Sequence, residues 1–433
     1  MSGLSTWLIV GLALLLAWPV QNTVLAAFAF WRPRPDVHNG PLPQLRFWIV
    51  IPALDEERVV AATVRAALAL DSPQTPVRVL VVDDASTDST PEILAAIDHP
   101  RLHVLRRALP DARRGKGEAL NAAYRWIRGV AVGEGAERET VVGVIDGDGR
   151  GEPGMLREVA GFFRRRDVGA VQCRVRIHNR DRLLGLVQDM EFSCIADASQ
   201  SLRDVLGSVD LGGNGQFVRL SDLMRFGDAP WSRCLVEDLE LGLRVHLAGM
   251  RIRYASNAVI TQQAVVDPRR LIRQRTRWGQ GNLQCLRYLP KLIASPAIRT
   301  FALLDFAYYL LAPWLLVPAS IAVAGIAGLS AAGWMTGTSF GGVVATGADL
   351  PLAAAAWLAT LAVPGLLWGL VHRLRLRDEP LRRALLAGFA YPLFLLLGMA
   401  ATWRALGRHL LRRNAWAKTE RLHEETPSPV LAG

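Results

Sequence analysis

Cysteine is scarce in this chain. Its 433 residues include four, Cys173, Cys194, Cys234 and Cys285, far apart and without a Cys-x-x-Cys pair. That excludes a zinc ribbon or a disulfide scaffold and leaves reduced, partly buried thiols as the default. Internal repeats and low-complexity tracts are also missing, so the fold is neither a solenoid nor an array. The net charge is +11, yet there is no zinc-finger spacing and no interleaved aromatic and basic RNA signature, so no nucleic-acid partner is expected. The apolar run Leu4–Phe30 has no Lys or Arg in front of it and no small-residue cleavage pattern behind it. It is expected to be a retained membrane anchor rather than a signal peptide.

What is abundant is apolar sequence, and it is local. Hydrophobic residues make up 51% and mean hydropathy is +0.21, concentrated in Leu4–Phe30, Tyr308–Leu329, Leu350–Val371 and Ala384–Trp403. Each is long enough to cross a bilayer. Basic residues flank them: Arg32 and Arg34, Arg269–Arg277, His372–Arg377, Arg382–Arg383 and Arg404–Arg413. This is a positive-inside, anionic-lipid pattern. The expected organisation is an N-terminal transmembrane helix over 1–31, a cytoplasmic domain over 45–290 ending in interfacial helices, a transmembrane region over 300–405, and a basic tail over 406–433. The C-terminal region is expected to hold about three helices. The implied location is the cell (inner or plasma) membrane, multi-pass. Four spans would leave the basic tail outside, against its charge, so the number of spans and the side of the C-terminus stay open.

Between the apolar runs, strands alternate with helices. After a stiff linker containing Pro33, Pro35, Pro41 and Pro43, Phe47–Pro52 reads as a strand leading into Asp55-Glu56-Glu57. Val59–Leu70 reads as a helix, Val77–Val82 as a strand leading into Asp83-Asp84, and Thr90–Ile97 as a helix. Leu102–Leu105 is a short strand, Arg113–Glu118 a glycine-spaced basic loop and Ala119–Arg128 a helix. Val141–Ile145 is apolar or small throughout, as a buried parallel strand is, and runs into Asp146-Gly147-Asp148. The alternation predicts a doubly wound α/β domain whose ligands lie past the carboxyl ends of the strands.

Beyond Gly151 the pattern loosens to α+β. Ala170–Ile177 alternates like a strand and Leu183–Leu202 reads as a helix. Gly212-Gly213-Asn214-Gly215 suits close backbone approach to a ligand. Val236–Leu247 is a helix opening on Glu237-Asp238, and Val266–Ile298 is basic with Trp278 and Tyr288 interleaved, suited to a membrane interface.

Two carboxylates one residue apart at a strand end suit a magnesium or manganese ion beside a phosphate, although Asp-Gly-Asp is also ordinary turn sequence. Asp83-Asp84 with Ser86-Thr87 reads equally as a helix cap. Arg113–Lys116 reads equally as a solvated turn, Glu237-Asp238 as a dipole pair, and Gln274–Trp278 as a membrane-surface patch. Their common placement at strand ends and helix starts, in this order, argues for one site.

The ordered lines IPALDEE, VVDDASTDST, RRGKGEALN, VIDGDG, GGNGQF, VEDLELGLR and QRTRW resemble the family 2 glycosyltransferases. The likeness is to their membrane-integrated branch, with cellulose, poly-N-acetylglucosamine and hyaluronan synthases and bacterial glycolipid glycosyltransferases. It covers about Ile49–Trp278 and implies a GT-A (Rossmann-like) nucleotide-sugar domain inserted between transmembrane helices. It also implies roles. Ala53, Glu56 and Asp83 would hold the uridine part of a UDP-sugar, with Lys116 near the nucleotide or diphosphate. Asp146 and Asp148 match the Asp-any-Asp motif that binds sugar diphosphate and metal, Mg2+ or Mn2+. Asp238, after Glu237, matches the general base. Gln274, Arg277 and Trp278 match the Gln-x-x-Arg-Trp motif beside acceptor and diphosphate, and Gly213 and Asn214 fall where the family contacts its acceptor. Two departures are mild: Val236 stands in place of Thr or Ser before Glu-Asp, and Asp55 in place of Asn in the opening motif.

One base without a second nucleophile implies direct displacement with inversion, and the base is worth about 10²–10⁴-fold. The expected activity is transfer of a hexose from a UDP-sugar to a lipid or lipid-linked acceptor at the cytoplasmic leaflet, in contact with membrane lipids. The alternative is a processive synthase of an extracellular polysaccharide, working on a saccharide acceptor with an export or accessory subunit. The small number of spans, set against the needs of a translocation channel, favours the lipid.

Overall fold

The computed structural model describes residues 19–31, 40–70, 72, 76–336, 349–413 and 422. Helix α1 occupies 19–31. It is followed by β1 (Arg46–Ala53), α2 (Val60–Leu68), β2 (Arg78–Asp83), α3 (Thr90–Ala95), β3 (Leu102–Arg106), α4 (Lys116–Glu134) and β4 (Thr140–Val144). β1 pairs in parallel with β2 on one side and β4 on the other, and β2 in parallel with β3. The winding therefore reverses between β1 and β4, and a crevice forms past their carboxyl ends. Alternate residues of β1 serve opposite cores. Phe47, Ile49 and Ile51 pack with Val60 and Val64 of α2. Trp48 and Val50 pack with Leu120, Tyr124 and Ile127, the apolar stripe of α4. Each such side chain contributes about 1.5–3 kcal/mol when fully buried. α4 starts earlier than its apolar pattern suggests, because Gly115, at φ 105°, makes the turn into it. Lys116 thereby becomes the first helical residue.

The second half departs from a doubly wound sheet. It comprises β5 (Arg150–Gly151), α5 (Met155–Phe162), β6 (Val168–Ile177), α6 (Leu183–Met190), a π-helical stretch Glu191–Ala196, α7 (Asp197–Leu206), β7 (Gln216–Arg219), α8 (Leu220–Leu223), α9 (Glu237–Leu247) and β8 (Arg251–Gln262). β7 is antiparallel to β4 and β6, β8 is parallel to β6, and β5 antiparallel to β8, giving one mixed sheet in the order β3-β2-β1-β4-β7-β6-β8-β5. β8 has no clean signature in the sequence. Much of it is buried on both faces, and its pairing with β6 shifts register between Cys173 and Arg174, which destroys any period of two. The helix expected over Leu183–Leu202 is interrupted by the π-helical stretch and continues to Leu206.

The C-terminal part is helical: α10 (Pro268–Cys285), α11 (Leu289–Ala294), α12 (Thr300–Thr336), α13 (Asp349–Leu376) and α14 (Leu381–Leu410). Asp267 caps α10 by accepting the Arg270 N–H at 2.8 Å, with Pro268 in the first turn. Among the described residues, α14 is the helix long and apolar enough to cross a membrane, and Thr300–Ala312 is a shorter apolar segment. The expected spans Tyr308–Leu329 and Leu350–Val371 fall on α12 and α13, but many of their side chains lie outside the described residues, as do the start of Leu4–Phe30 and most of the 406–433 tail. α13 and α14 meet backbone to backbone. A Cβ on Gly365 would stand 2.2 Å from the Gly388 carbonyl oxygen, and one on Gly388 would stand 2.3 Å from that of Gly365.

These helices share a core with elements of the sheet domain. Leu25, Leu186, Trp368, Tyr391 and Phe394 form one cluster. Fully buried Asp189 accepts the Ile177 N–H at 2.9 Å, lies 3.0 Å from His372 Nε2, and pairs with Arg176 and Arg180 at 3.3 Å each. Both arginines reach on to Asp378, in the α13–α14 turn, at 2.6 and 2.8 Å.

Candidate active site

The crevice between β1 and β4 opens into a cavity of about 1410 Å³. At its β1 side lie Ala53 and Glu56, and Glu56 packs over Gly147. Asp83 ends β2 but does not line the cavity. It is 1% exposed, its Oδ1 accepts the Ser86 N–H at 2.8 Å, and Arg106 stands 3.4 Å from its Oδ2. The neighbouring Asp84 is on the lining instead, paired with Arg107 and accepting the Arg113 N–H at 3.0 Å.

The chemical centre is a convergence on Lys116. Its Nζ lies 2.5 Å from Asp146 Oδ1, 3.0 Å from the Gly213 carbonyl oxygen and 3.8 Å from Glu237 Oε1. Burial pushes this ammonium's pKa down, but the carboxylates of Asp146, Glu237 and Asp238 outweigh it and hold the value above the usual range. The acids respond in kind. Glu237 is pushed up to about 7, by burial and then by the Asp238 charge, with Lys116 opposing. Burial likewise raises Asp238 against the pull of Lys116. Gly213 sits at the meeting point. A Cβ there would be 2.7 Å from Lys116 Nζ, 3.0 Å from Asp238 Oδ2 and 3.8 Å from Asp146 Oδ2. The glycine keeps open a small cradle ringed by a cation and two carboxylates.

The loop carrying Gly213 is held from the sheet. Gln172 on β6 accepts the Gly212 N–H at 2.8 Å and donates to the Asn214 carbonyl at 2.9 Å. Asn214 Oδ1 accepts the Asp146 N–H at 3.2 Å, and its amide donates to Gln262 at 2.9 Å. Gln274, Arg277 and Trp278, all on α10, complete this side. Trp278 is set by a residue the motif leaves blank. Arg275 stacks 4.6 Å over its ring and grips both Glu191 carboxylate oxygens, at 2.8 and 2.5 Å. Glu191 opens the π-helical stretch, 84 positions away in sequence, so no local pattern announces the pair. Past Trp278 the lining turns apolar, with Leu315 of α12 and Phe389, Leu393, Leu396 and Met399 of α14.

Asp146 and Asp148, read together as metal ligands, are placed differently. Asp146 faces the cavity, whereas Asp148 is 2% exposed, is not on the lining, and accepts the Gln263 N–H at 3.0 Å. Among the described residues, no three His, Cys, Asp or Glu side chains gather into a metal-binding group. Asp146, beside the open cradle at Gly213, nevertheless fits a magnesium-type ion, which takes few protein oxygens and completes its shell with phosphate. The ion would be held jointly with substrate rather than by the protein alone.

A parallel half-sheet continued by a mixed sheet, with carboxylates and a lysine at its switch point, is an α/β fold of GT-A-like type. A family model described as Glycosyltransferase like family 2 matches residues 43–281, and the chain belongs to that family. The β-monoglucosyldiacylglycerol synthase of Trichormus variabilis is 33% identical over 278 residues, covering 62% of this chain and 56% of that protein. The poly-β-1,6-N-acetyl-D-glucosamine synthase of Staphylococcus epidermidis is 25% identical over 239 residues, covering 54% of this chain and 53% of that protein. The chain thus spans about half the length of these relatives. A mannosyltransferase from Pyrobaculum calidifontis, solved with GDP-Man and Mn2+, superposes with a TM-score of 0.60 at 21% identity, over 94% of this chain and 99% of that one. That likeness fixes the fold.

Proposed function

We propose that this glycosyltransferase moves a hexose from a UDP-sugar to the hydroxyl of a lipid, with inversion, at the cytoplasmic leaflet of the cell membrane. The observation that carries the reading is the continuity of the cavity. One space runs from Lys116, Asp146 and Asp238 to Leu393, Leu396 and Met399 on α14. A lipid acceptor needs its hydroxyl at a base and its chains on an apolar wall, and both are on the same lining. The diacylglycerol named in the Trichormus relative's activity agrees with it. The basic clusters beside the apolar helices support a multi-pass anchor, with α12, α13, α14 and the N-terminal segment in the bilayer and the sheet on the cytoplasmic side.

In this reading Ala53, Glu56 and Asp83 belong to the nucleotide end, and Lys116 and Arg277 face the diphosphate. Asp146 and Asp148 would hold Mg2+ or Mn2+, which when bound supplies charge neutralisation for the leaving diphosphate. Asp238 takes the proton from the attacking hydroxyl. Lys116 restrains the charge of the acid cluster, Gly213 leaves room for the reacting atoms, and Asn214 and Gln172 hold the loop that meets the acceptor. Gln274 and Trp278 flank the acceptor's approach.

The match to a poly-N-acetylglucosamine synthase keeps polymer synthesis as the second reading. Membranes containing the protein, incubated with a panel of labelled UDP-sugars and then extracted, separate the two. A single-sugar lipid in the organic phase, identified by mass spectrometry, is the expected product. Label retained as aqueous polymer would replace the lipid reading.

A further inference from the structure

The turn that delivers Asp238, residues 231–236, is gripped from two sides by side-chain amides. On one side is fully buried Asn121 of α4. Its Nδ2 donates to the Trp231 carbonyl at 2.7 Å and its Oδ1 accepts the Trp231 N–H at 2.9 Å. On the other side is Gln284 of α10, whose Oε1 accepts the Leu235 N–H at 3.0 Å and the Cys234 thiol at 3.3 Å. Each grip is reinforced by a glycine at van der Waals limit. A Cβ on Gly117 of α4 would fall 2.2 Å from the Ser232 carbonyl oxygen. One on Gly281 of α10 would fall 2.7 Å from both methyls of Val236 and 2.9 Å from its nitrogen.

We infer that Asn121 and Gln284 are positioning residues for the base, clamping the Asp238 turn between α4 and α10. This rests on the reading of Asp238 as the base. The two helices that grip the turn also carry the groups facing the diphosphate, Lys116 at the start of α4 and Arg277 on α10. The clamp therefore fixes the distance between the leaving group's partners and the group that accepts the proton. It acts through backbone atoms, which have no freedom to swing away as a side chain has. The Trp231 and Leu235 backbone groups also need these partners for themselves, since a buried amide left without one is destabilising. Neither amide is placed to touch the donor: Asn121 and Gln284 are absent from the cavity lining. Their loss should therefore slow the chemical step without weakening donor binding. A misplacement of about 1 Å made from outside the chemistry costs on the order of 10²-fold.

The test uses the full-length protein in mixed micelles with UDP-glucose and dioleoylglycerol. Gln284, on the partly exposed face of α10, is the variant least exposed to folding failure. Gln284→Ala is expected to lower kcat by about 10- to 100-fold with the UDP-glucose KM unchanged. Gln284→Glu, which keeps an oxygen for the Leu235 N–H, should restore most of kcat. Gly281→Ala, which presses on Val236, should reproduce the kcat loss without the KM change. A wild-type kcat in Gln284→Ala, or a Gln284→Glu enzyme as slow as Gln284→Ala, overturns the clamp. Asp238→Asn run alongside separates the two claims. If it retains kcat, the base assignment is wrong. If it is inactive while Gln284→Ala is normal, the base stands and the clamp falls.

Discussion

Lys116 Nζ bridges Asp146 Oδ1, at 2.5 Å, and the carbonyl of Gly213, at 3.0 Å, so one ammonium ties the loop after β4 to the loop before β7. Lys116→Met leaves Asp146, Glu237 and Asp238 without their shared counter-charge. We expect UDP binding by calorimetry to weaken and kcat to fall by about 10²–10³-fold, the usual loss when one charge-stabilising donor is removed.

Asp238→Asn keeps the size of the side chain and removes the carboxylate proposed as the base. Transfer should drop by at least about 10²-fold while UDP-sugar affinity holds, because Asp238 faces the cradle at Gly213 rather than the nucleotide end. Equal loss of binding and turnover would move Asp238 into the donor site.

The acid pair also sets a pH dependence. Glu237 rises from an ordinary 4.5 to about 7 and Asp238 is raised as well, so the pair takes up a proton as pH falls through about 7. Wherever that proton rests on Asp238 the acceptor's proton has no base to take it, so kcat/KM should fall on the acid side. Glu237→Gln should move that limb to lower pH. Stability runs the other way. The folded form holds this proton more tightly than the unfolded chain, so stability declines as pH rises from 4.5 towards about 7. A thermal-melt series across that window reads the slope.

Chelation with EDTA should abolish transfer, and Mg2+ or Mn2+ should restore it. In Asp148→Ala, metal-dependent UDP binding should be lost while metal-free binding is unchanged. An Asp148→Ala protein that still binds UDP more tightly with metal would assign Asp148 to holding the Gln263 strand end alone.

Leu393 of α14 lines the apolar arm and is 67% exposed, so a larger side chain there should fill the arm without disturbing the core. Leu393→Trp is expected to raise KM for dioleoylglycerol by about tenfold, the equivalent of about 1.4 kcal/mol, and to spare dioctanoylglycerol. Equal effects on both acceptors would remove the acyl chains from this arm.

β1, β2 and β4 are readable because they are buried on both faces and run directly into acids. Phe47–Pro52 and Val141–Ile145 each landed within two residues of β1 and β4. Ala53, Lys116, Asp146, Glu237 and Asp238 sit at strand ends and helix starts, where topology gathers them onto one cavity, whereas Gln274, Arg277 and Trp278 reach it from the middle of α10. What stayed hidden depends on long-range geometry. The register shift of β8 erases its period, and the Glu191–Arg275 pair joins segments with no common local signal. Asp83 shows the limit of residue type as a guide. Beside Asp84 it carries the same charge, yet its carboxylate is spent on the Ser86 turn, and Asp84 faces the cavity.

The contact of Gly365 with Gly388 has a mechanical consequence. Two helices joined backbone to backbone leave no side-chain layer to shear, and small-residue contacts of this kind hold through dispersion and close carbonyl approach without any need for water. α13 and α14 should therefore travel as one stiff beam, bolted to the sheet through Asp189 and Asp378. Any widening of the apolar arm would then come from the lining elements outside that beam, among them α12 and Gln21 of α1.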